Sequence, residues 1–201
     1  MWDMMLKGGP VMWPILGGSI IAVAIFFEKI YSLQKNKVIP LEFFQKVLSL
    51  LKEGKVSEAK SVCELETSSL GKICLASVEN YGGKRSEIKA IFEEVGRQEG
   101  QKLSTLTGVI GIIASISPLL GLLGTVLGMI KVFQVISVEG VGNAASLSGG
   151  ISEALLTTAF GLTVAIPALI MYKYIKSKVD QLLGIMESKA VLLLDAIKSK
   201  E

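Results

Sequence analysis

The run LSTLTGVIGIIASISPLLGLLGTVLGMI, from Leu103 to Ile130, contains no charged residue. Two other uncharged stretches, Gly8 to Phe27 and Ala154 to Tyr172, lie before and after it. At about 1.5 Å of rise per residue, even the shortest of the three makes a helix of roughly 28 Å, close to the hydrocarbon thickness of a bilayer. The sequence therefore predicts an all-α integral membrane protein with three transmembrane helices.

The composition excludes several classes of protein. Half of the 201 residues are hydrophobic and the mean hydropathy is +0.55, which is too apolar for a soluble domain. The chain has no histidine, which removes imidazole-based catalysis and most zinc sites. We therefore expect no enzyme activity and no metal or other cofactor. The net charge of +3 follows from membrane topology and gives no reason to expect a nucleic-acid partner.

The positions of lysine and arginine predict the orientation of the chain. Of 21 such residues, 13 lie in 29–102 and six in 173–200, whereas 134–152 has none. Because cytoplasmic segments retain positive charge, the N-terminus is predicted to face outward and the C-terminus inward. Cys63 and Cys74 then lie in the cytoplasm, where thiols stay reduced, and their spacing matches no metal or redox motif.

The segment between the first two spans has helical periodicity. Apolar residues repeat at intervals of three and four over Leu41–Leu51, and Gly54 ends that helix. Two more helices are predicted over Ser57–Leu65 and Leu70–Tyr81, followed by a turn at Gly82-Gly83. This segment is therefore expected to be a helical domain.

Both of the later spans are predicted to extend beyond the membrane as helices. From Ser86 the helical character continues into the second span, which predicts one helix of about 45 to 50 residues. The third span continues past Tyr172 as an amphipathic helix. We expect a cytoplasmic helical bundle that is continuous with the spans.

We identify Glu153 as the ionisable residue well inside the hairpin of the second and third spans. If the third span starts near Asn143 or Ser146, Glu153 lies two to three turns inside, whereas a start at Ile151 puts it at the outer edge. An ionised carboxylate inside a bilayer costs at least about 2.5 to 3.5 kcal/mol. Glu153 is therefore expected to face protein or water and to bind and release an ion.

Hydroxyl side chains follow Glu153 along the third span. Thr157 is one turn further on the same face, Thr158 lies further round the helix, and Thr163 comes later. These threonines either line an ion route or hydrogen bond to carbonyls of their own helix, and the sequence leaves both readings open.

The second span contains a stripe of small residues. Ser117, Gly121, Gly124 and Gly128 fall at steps of four, three and four, so they share one helix face on which another backbone can pack closely. Thr125 is the hydroxyl beside this small-residue stripe, and in an antiparallel hairpin it can lie at the depth of Thr158 or Glu153. We predict that these small residues are helix-packing positions.

Two motifs resemble a known family. The run SPLLGLLGTVLGMI, from Ser117 to Ile130, resembles the second-span motif of the ExbB and TolQ proteins. The run ISEALLTTAFGL, from Ile151 to Leu162, is similar to their third-span motif, and Ala165-Ile166-Pro167 follows it. The chain is thus identified as a member of the ExbB/TolQ/MotA proton-channel family. MotA proteins have four spans, so three spans favour the ExbB/TolQ branch.

This resemblance implies a function in a bacterial inner membrane. It implies a homo-oligomeric ring, a pentamer, around a dimer of a single-span partner of the ExbD/TolR type. The ion-pathway residues carried over from the motifs are Glu153, Thr158 and Thr125, with Thr157 beside them. Ion flow would then power outer-membrane transport or envelope integrity. The choice between proton and sodium, and between the ExbB and TolQ roles, stays open.

Topology and resemblance together divide the chain into seven predicted segments. They are a short periplasmic N-terminus (1–12), the first transmembrane helix (13–33), a cytoplasmic helical domain (34–104), the second transmembrane helix (105–136), a periplasmic loop (137–146), the third transmembrane helix (147–173) and a cytoplasmic C-terminal helix (174–201).

Two rival functions remain. A solute transporter subunit usually has internal repeats, and none is visible in the sequence. A passive membrane scaffold has no use for an acidic residue inside the bilayer, so the presence of Glu153 disfavours it.

Overall fold

The computed structural model describes residues 8–140 and 144–197, and this part of the chain is helical without strands. In chain order the helices of the described residues are α1 (Met12–Ser32), α2 (Lys35–Val38), α3 (Leu41–Lys52), α4 (Val56–Glu64), α5 (Ser69–Glu79), α6 (Arg85–Ser104), α7 (Thr107–Glu139) and α8 (Ala144–Ala196). Two compact units contain them. The first unit comprises 8–27, 106–140 and 144–174, and the second comprises 28–105 and 175–197.

The first unit holds the membrane-crossing candidates. Helices α1, α7 and α8 are each long and apolar enough to span a bilayer, as the three uncharged runs predict. Their outward faces carry large apolar side chains, among them Trp13, Ile20, Phe27, Leu119, Leu122, Leu155, Ile166 and Ile170. Such a surface needs lipid or other apolar protein around it.

The helical hairpin of α7 and α8 extends further than its predicted bounds. Helix α7 continues to Glu139 and α8 begins at Ala144, so the connection is shorter than the predicted loop 137–146. Residues 141–143 of that loop lie outside the described residues. Helix α8 runs on to Ala196, which agrees with the predicted continuation past Tyr172.

The prediction of one unbroken helix from Ser86 into the second span is wrong. Helix α6 ends at Ser104 and α7 begins at Thr107, because Leu106 adopts a left-handed backbone conformation with a φ of 64°. A non-glycine residue in the left-handed region costs roughly 1–2 kcal/mol, so leucine is not expected there. The hydrophobic periodicity continues through this position and therefore does not predict the break. The second span therefore belongs to a helix that starts at Thr107.

The second unit is a helical domain built by α2 to α6 and the last part of α8. The predicted helices over 41–51, 57–65 and 70–81 are confirmed to within two residues as α3, α4 and α5. Gly54 and Gly82 end helical segments with φ values of 76° and 82°, conformations that glycine adopts readily. The core is apolar and includes Phe44, Val47, Leu51, Ile73, Cys74, Ile88, Leu182, Met186 and Leu193.

A capped helix start and a buried ion pair complete this second unit. Ser68 caps α5 by accepting a hydrogen bond from the backbone N–H of Gly71 at 3.1 Å. Glu99 of α6 is buried, and the ammonium of Lys72 of α5 donates to its Oε1 at 2.5 Å. Burial disfavours the charged form of Glu99, but hydrogen bonding to Lys72 and Ser69, together with the positive charges of Lys102 and Lys72, outweighs it and lowers the pKa of this carboxyl.

Candidate functional site

The small-residue stripe of α7 packs against α8 of the same chain. Gly121 faces the backbone of Thr158, since a Cβ there would lie 3.1 Å from the Thr158 α-carbon. Gly124 faces the Thr157 side chain, with 2.6 Å from a Cβ to the Thr157 Cβ, and Gly128 faces Ala154. The side chain of Ser117 is buried in the same face. The backbone that lies on this stripe therefore belongs to the chain itself rather than to a neighbouring subunit.

Gly161 is the counterpart of this stripe on α8. A Cβ on Gly161 would lie 2.6 Å from the carbonyl oxygen of Ser117 and 3.0 Å from the α-carbon of Gly121. Backbone atoms cannot move aside as a flexible side chain can, so only glycine fits at this crossing. The sequence reasoning quoted Gly161 within a motif without assigning it a packing role. The signal available was its distance of four residues from Thr157, which is about one helical turn along the same face.

Glu153 lies inside the helical hairpin. It is nine residues after Ala144, so it lies about 2.5 turns into α8, and the helix begins at the earlier of the two starts that the sequence allowed. Its side chain is 21% exposed, and its Oε1 accepts a hydrogen bond from the Nζ of Lys131 at 2.6 Å. The carboxylate therefore has a partner of opposite charge on α7.

Lys131 is a residue of this candidate site that the sequence did not single out. It directly follows the uncharged run that ends at Ile130, and it is the one lysine or arginine between Lys102 and Lys173. An isolated basic residue directly after an uncharged run, far from the two segments rich in lysine and arginine, conflicts with the charge asymmetry of the rest of the chain. That conflict was the signal available, although the sequence does not say that Lys131 meets Glu153.

The turn before α1 closes over the same place. The hydroxyl of Thr157 lies 2.8 Å from the carbonyl oxygens of both Gly8 and Glu153 and donates its hydrogen to one or the other. Gly9 lies against the Glu153 side chain so closely that a Cβ would collide with Oε1, and its φ of 71° also favours glycine. Three segments of the chain thus meet at Glu153: the turn before α1, α7 and α8.

The predicted threonines take different roles. Thr158 donates its hydroxyl hydrogen to the carbonyl of Gly121 at 2.9 Å and so joins α8 to α7. Thr125 donates to Leu122 at 2.6 Å and Thr163 to Ala159 at 2.8 Å, which are bonds within their own helices. Of the threonines on the third span, Thr163 bonds only within its own helix, whereas the Thr157 hydroxyl also lies within reach of its own helix at the Glu153 carbonyl.

The groups that meet at this candidate site are of kinds that can bind an ion. The site combines one carboxylate, one ammonium, a hydroxyl and backbone carbonyls in a mainly apolar surrounding. Within the described residues, histidine, cysteine and carboxylate side chains form no cluster of three that would hold a metal.

Comparison with known proteins gives a consistent picture. The model of the MotA/TolQ/ExbB proton channel family matches residues 65–188, more than half of the chain and inclusive of Lys131 and Glu153. The match thus covers all of α7 and α8 as far as residue 188.

Individual relatives extend the similarity over most of the chain. The chain is 32% identical over 177 residues to the biopolymer transport protein ExbB-like 3 of Synechocystis sp., which covers 86% of this chain and 83% of that protein. It is 30% identical over 182 residues to ExbB-like 1 of the same organism, covering 89% of this chain and 72% of that protein. An ExbB homologue of Methanothermobacter thermautotrophicus is 28% identical over 179 residues, with 89% and 63% covered.

Proposed function

This chain belongs to the MotA/TolQ/ExbB proton channel family, and we propose that it is the channel-forming subunit of an ion-driven energy transducer in a bacterial inner membrane. The observation that carries the proposal is the position of Glu153, about 2.5 turns inside α8 and enclosed by α7 and the turn before α1. In an apolar surrounding a carboxylate is costly, so its retention there points to a use.

The proposed role of Glu153 is to accept and release the transported ion. Thr157 and Thr158 fix the surrounding backbone through their hydrogen bonds, and the close contacts of Gly121 and Gly161 keep α7 and α8 together. One charge moving down 100 mV releases about 2.3 kcal/mol, so several ions in each cycle are enough for a substantial rearrangement. Thr125 lies beside the stripe. Its hydroxyl donates to the carbonyl of Leu122, and the hydroxyl oxygen keeps a lone pair that can accept a hydrogen bond.

The assembly and topology of the proposed transducer follow the family resemblance. Five copies of the chain form a ring around a dimer of a single-span ExbD/TolR-type partner, with the N-terminus in the periplasm and the C-terminus in the cytoplasm. The large exposed apolar side chains of the first unit support this, because such a surface suits lipid and neighbouring subunits. The work done would be outer-membrane transport or maintenance of the envelope.

Substitution of Glu153 tests the relay role. Glu153→Gln keeps the size and hydrogen-bonding capacity but cannot change charge, so it should abolish ion-driven function and leave complex yield unchanged. Glu153→Asp titrates but is one methylene shorter, so partial activity is expected. The measurements are complementation of a strain that lacks the native copy, and the yield of complex purified from its membranes.

The matched control is Glu42→Gln, an exposed acid-to-amide change on α3, which should behave as wild type. A passive scaffold predicts the opposite ranking, with Gln fully active at position 153 and Ala harmful only through lower yield. Full activity of Glu153→Gln at normal yield would therefore disprove the relay.

A further inference from the structure

The ion pair between Lys131 and Glu153 is set by the backbone of the hairpin. On α7, Gly128 packs against Ala154; one turn further, Val132 lies against Gly150 of α8. Lys131 and Glu153 lie between these two backbone contacts, so their helices cannot slide apart without breaking both. The 2.6 Å contact joins a full positive and a full negative charge, which is the stronger class of hydrogen bond.

The two partners differ in their freedom to move. The Lys131 side chain is 52% exposed, whereas that of Glu153 is 21% exposed and bounded by Gly9. Lysine has a long flexible stem and a compact ammonium, so it can swing into water while the carboxylate stays in place. The side chain that moves when the pair opens is therefore that of Lys131.

We propose that Lys131 is a tethered counter-cation. Its ammonium pairs with the carboxylate of Glu153 between ion-transfer steps and so prevents protons from leaking through the pathway. The inference rests on the relay role proposed above for Glu153. When a proton binds the carboxylate, Glu153 becomes neutral and the ammonium of Lys131 is released with its charge. When the proton leaves, the carboxylate is negative again and Lys131 returns. No covalent bond changes in this cycle, and the only species exchanged with solution is the proton.

In this proposal, the positive charge of Lys131 keeps the pathway closed at rest. An ammonium in contact with Oε1 repels a second cation that approaches the same oxygen. Removal of that charge leaves Glu153 without its partner, so protons from solution become its counter-ions. Lys131 acts here through Glu153 and is a positioning residue.

The test is proton leak through the purified full-length chain in liposomes, driven by a potassium diffusion potential and followed with an enclosed pH dye. Lys131→Met should raise the leak about tenfold, which corresponds to a barrier lowered by about 1.4 kcal/mol. Lys131→Arg keeps the charge and should be as tight as wild type. Lys131→Gln is the second neutral variant if the Met variant assembles poorly, and it should leak as well.

The double variant Lys131→Met/Glu153→Gln separates this inference from the proposed function. It should be as tight as wild type, because the leak passes through Glu153. A tight Lys131→Met and Lys131→Gln at normal yield, or a double variant that leaks as much as Lys131→Met, would overturn the counter-cation role. If Glu153→Gln is inactive in cells and the lysine variants are tight, the relay survives and only this inference fails. If Glu153→Gln is active in cells, the relay itself fails.

Discussion

The backbones of Gly121 and Gly161 approach each other so closely that a Cβ added to Gly161 would lie 3.0 Å from the α-carbon of Gly121. Beside this contact, the hydroxyl of Thr158 donates to the carbonyl of Gly121. The crossing therefore combines close approach with an interhelical hydrogen bond, which are the main forces that hold helices together in a bilayer.

Substitution at the crossing should destabilise the hairpin. Gly161→Ala places a methyl group against backbone atoms, and overpacking of this kind costs about 1–3 kcal/mol. The matched control is Gly149→Ala on the same helix, where a Cβ meets nothing within 4 Å and the helix propensity improves. Thermal unfolding in detergent should show a lower midpoint for Gly161→Ala alone. Equal midpoints for the two variants would contradict the assigned crossing.

The turn before α1 should tolerate only glycine at position 9. Gly9→Ala imposes a left-handed conformation on alanine, at roughly 1–2 kcal/mol, and pushes a methyl group into Glu153. Ion-driven complementation should fall, whereas Gly17→Ala within α1 should be neutral because its Cβ meets nothing within 4 Å. If both variants complement equally, the turn does not contact Glu153 in the working protein.

The native thiols, Cys63 and Cys74, should not react with maleimides in the folded protein. Both cysteines are buried in the second unit; burial raises the pKa of Cys63 to about 12 and raises that of Cys74 as well. The reactive thiolate is therefore scarce up to at least about pH 9, and neither thiol should react with a maleimide before denaturation. Rapid labelling of the folded wild type would show that this core opens.

An introduced cysteine then reports topology without removal of the native ones. Leu65 is 87% exposed in the second unit, which is predicted to be cytoplasmic. An impermeant maleimide should label Leu65→Cys in inverted vesicles and leave it unlabelled in intact cells. The reverse pattern would overturn the predicted orientation.

The buried ion pair of the second unit should make its stability sensitive to Lys72. Lys72→Met leaves Glu99 buried without its closest cation, and we expect a loss of about 1–3 kcal/mol, less than for a fully enclosed pair because Lys72 is 45% exposed. The control is Lys89→Met, whose pair with Glu93 is 69% exposed on both sides and should contribute little. Thermal unfolding of the two variants in detergent distinguishes them; indistinguishable midpoints would argue against the pair.

Acid should remove the same stabilisation. The pKa of Glu99 is lower in the folded chain than in the unfolded chain, so the unfolded state binds more protons at mildly acidic pH. The contribution is present above the unfolded pKa and is lost as the pH falls through the folded pKa. The wild type should therefore lose more stability on acidification than Glu99→Gln, measured as unfolding midpoints at neutral and acidic pH. Parallel curves would rule out this linkage.

The spans and the candidate site were predictable to different degrees. Uncharged runs such as Leu103 to Ile130 predict membrane helices because crossing a bilayer depends on local composition and length. Glu153 and the stripe at Gly121 and Gly124 were also readable, because an acid or a row of small residues is unusual within an apolar helix. The pairing of Glu153 with Lys131 could not be predicted from the sequence, because it depends on the register of two antiparallel helices.

The sequence by itself determined the helical character of the described residues, three helices long and apolar enough to cross a bilayer, the charge asymmetry that predicts the orientation, and a carboxylate within the third of these helices. Only the tertiary structure decided that α8 supplies the backbone packed on the small-residue stripe, that Gly9 closes on Glu153, and that Leu106 interrupts the helix. The physical reason is the distance along the chain over which each interaction acts. Hydropathy, charge and periodicity act over a few neighbouring residues, whereas helix register, close backbone approach and a left-handed turn are fixed by contacts between distant parts of the chain.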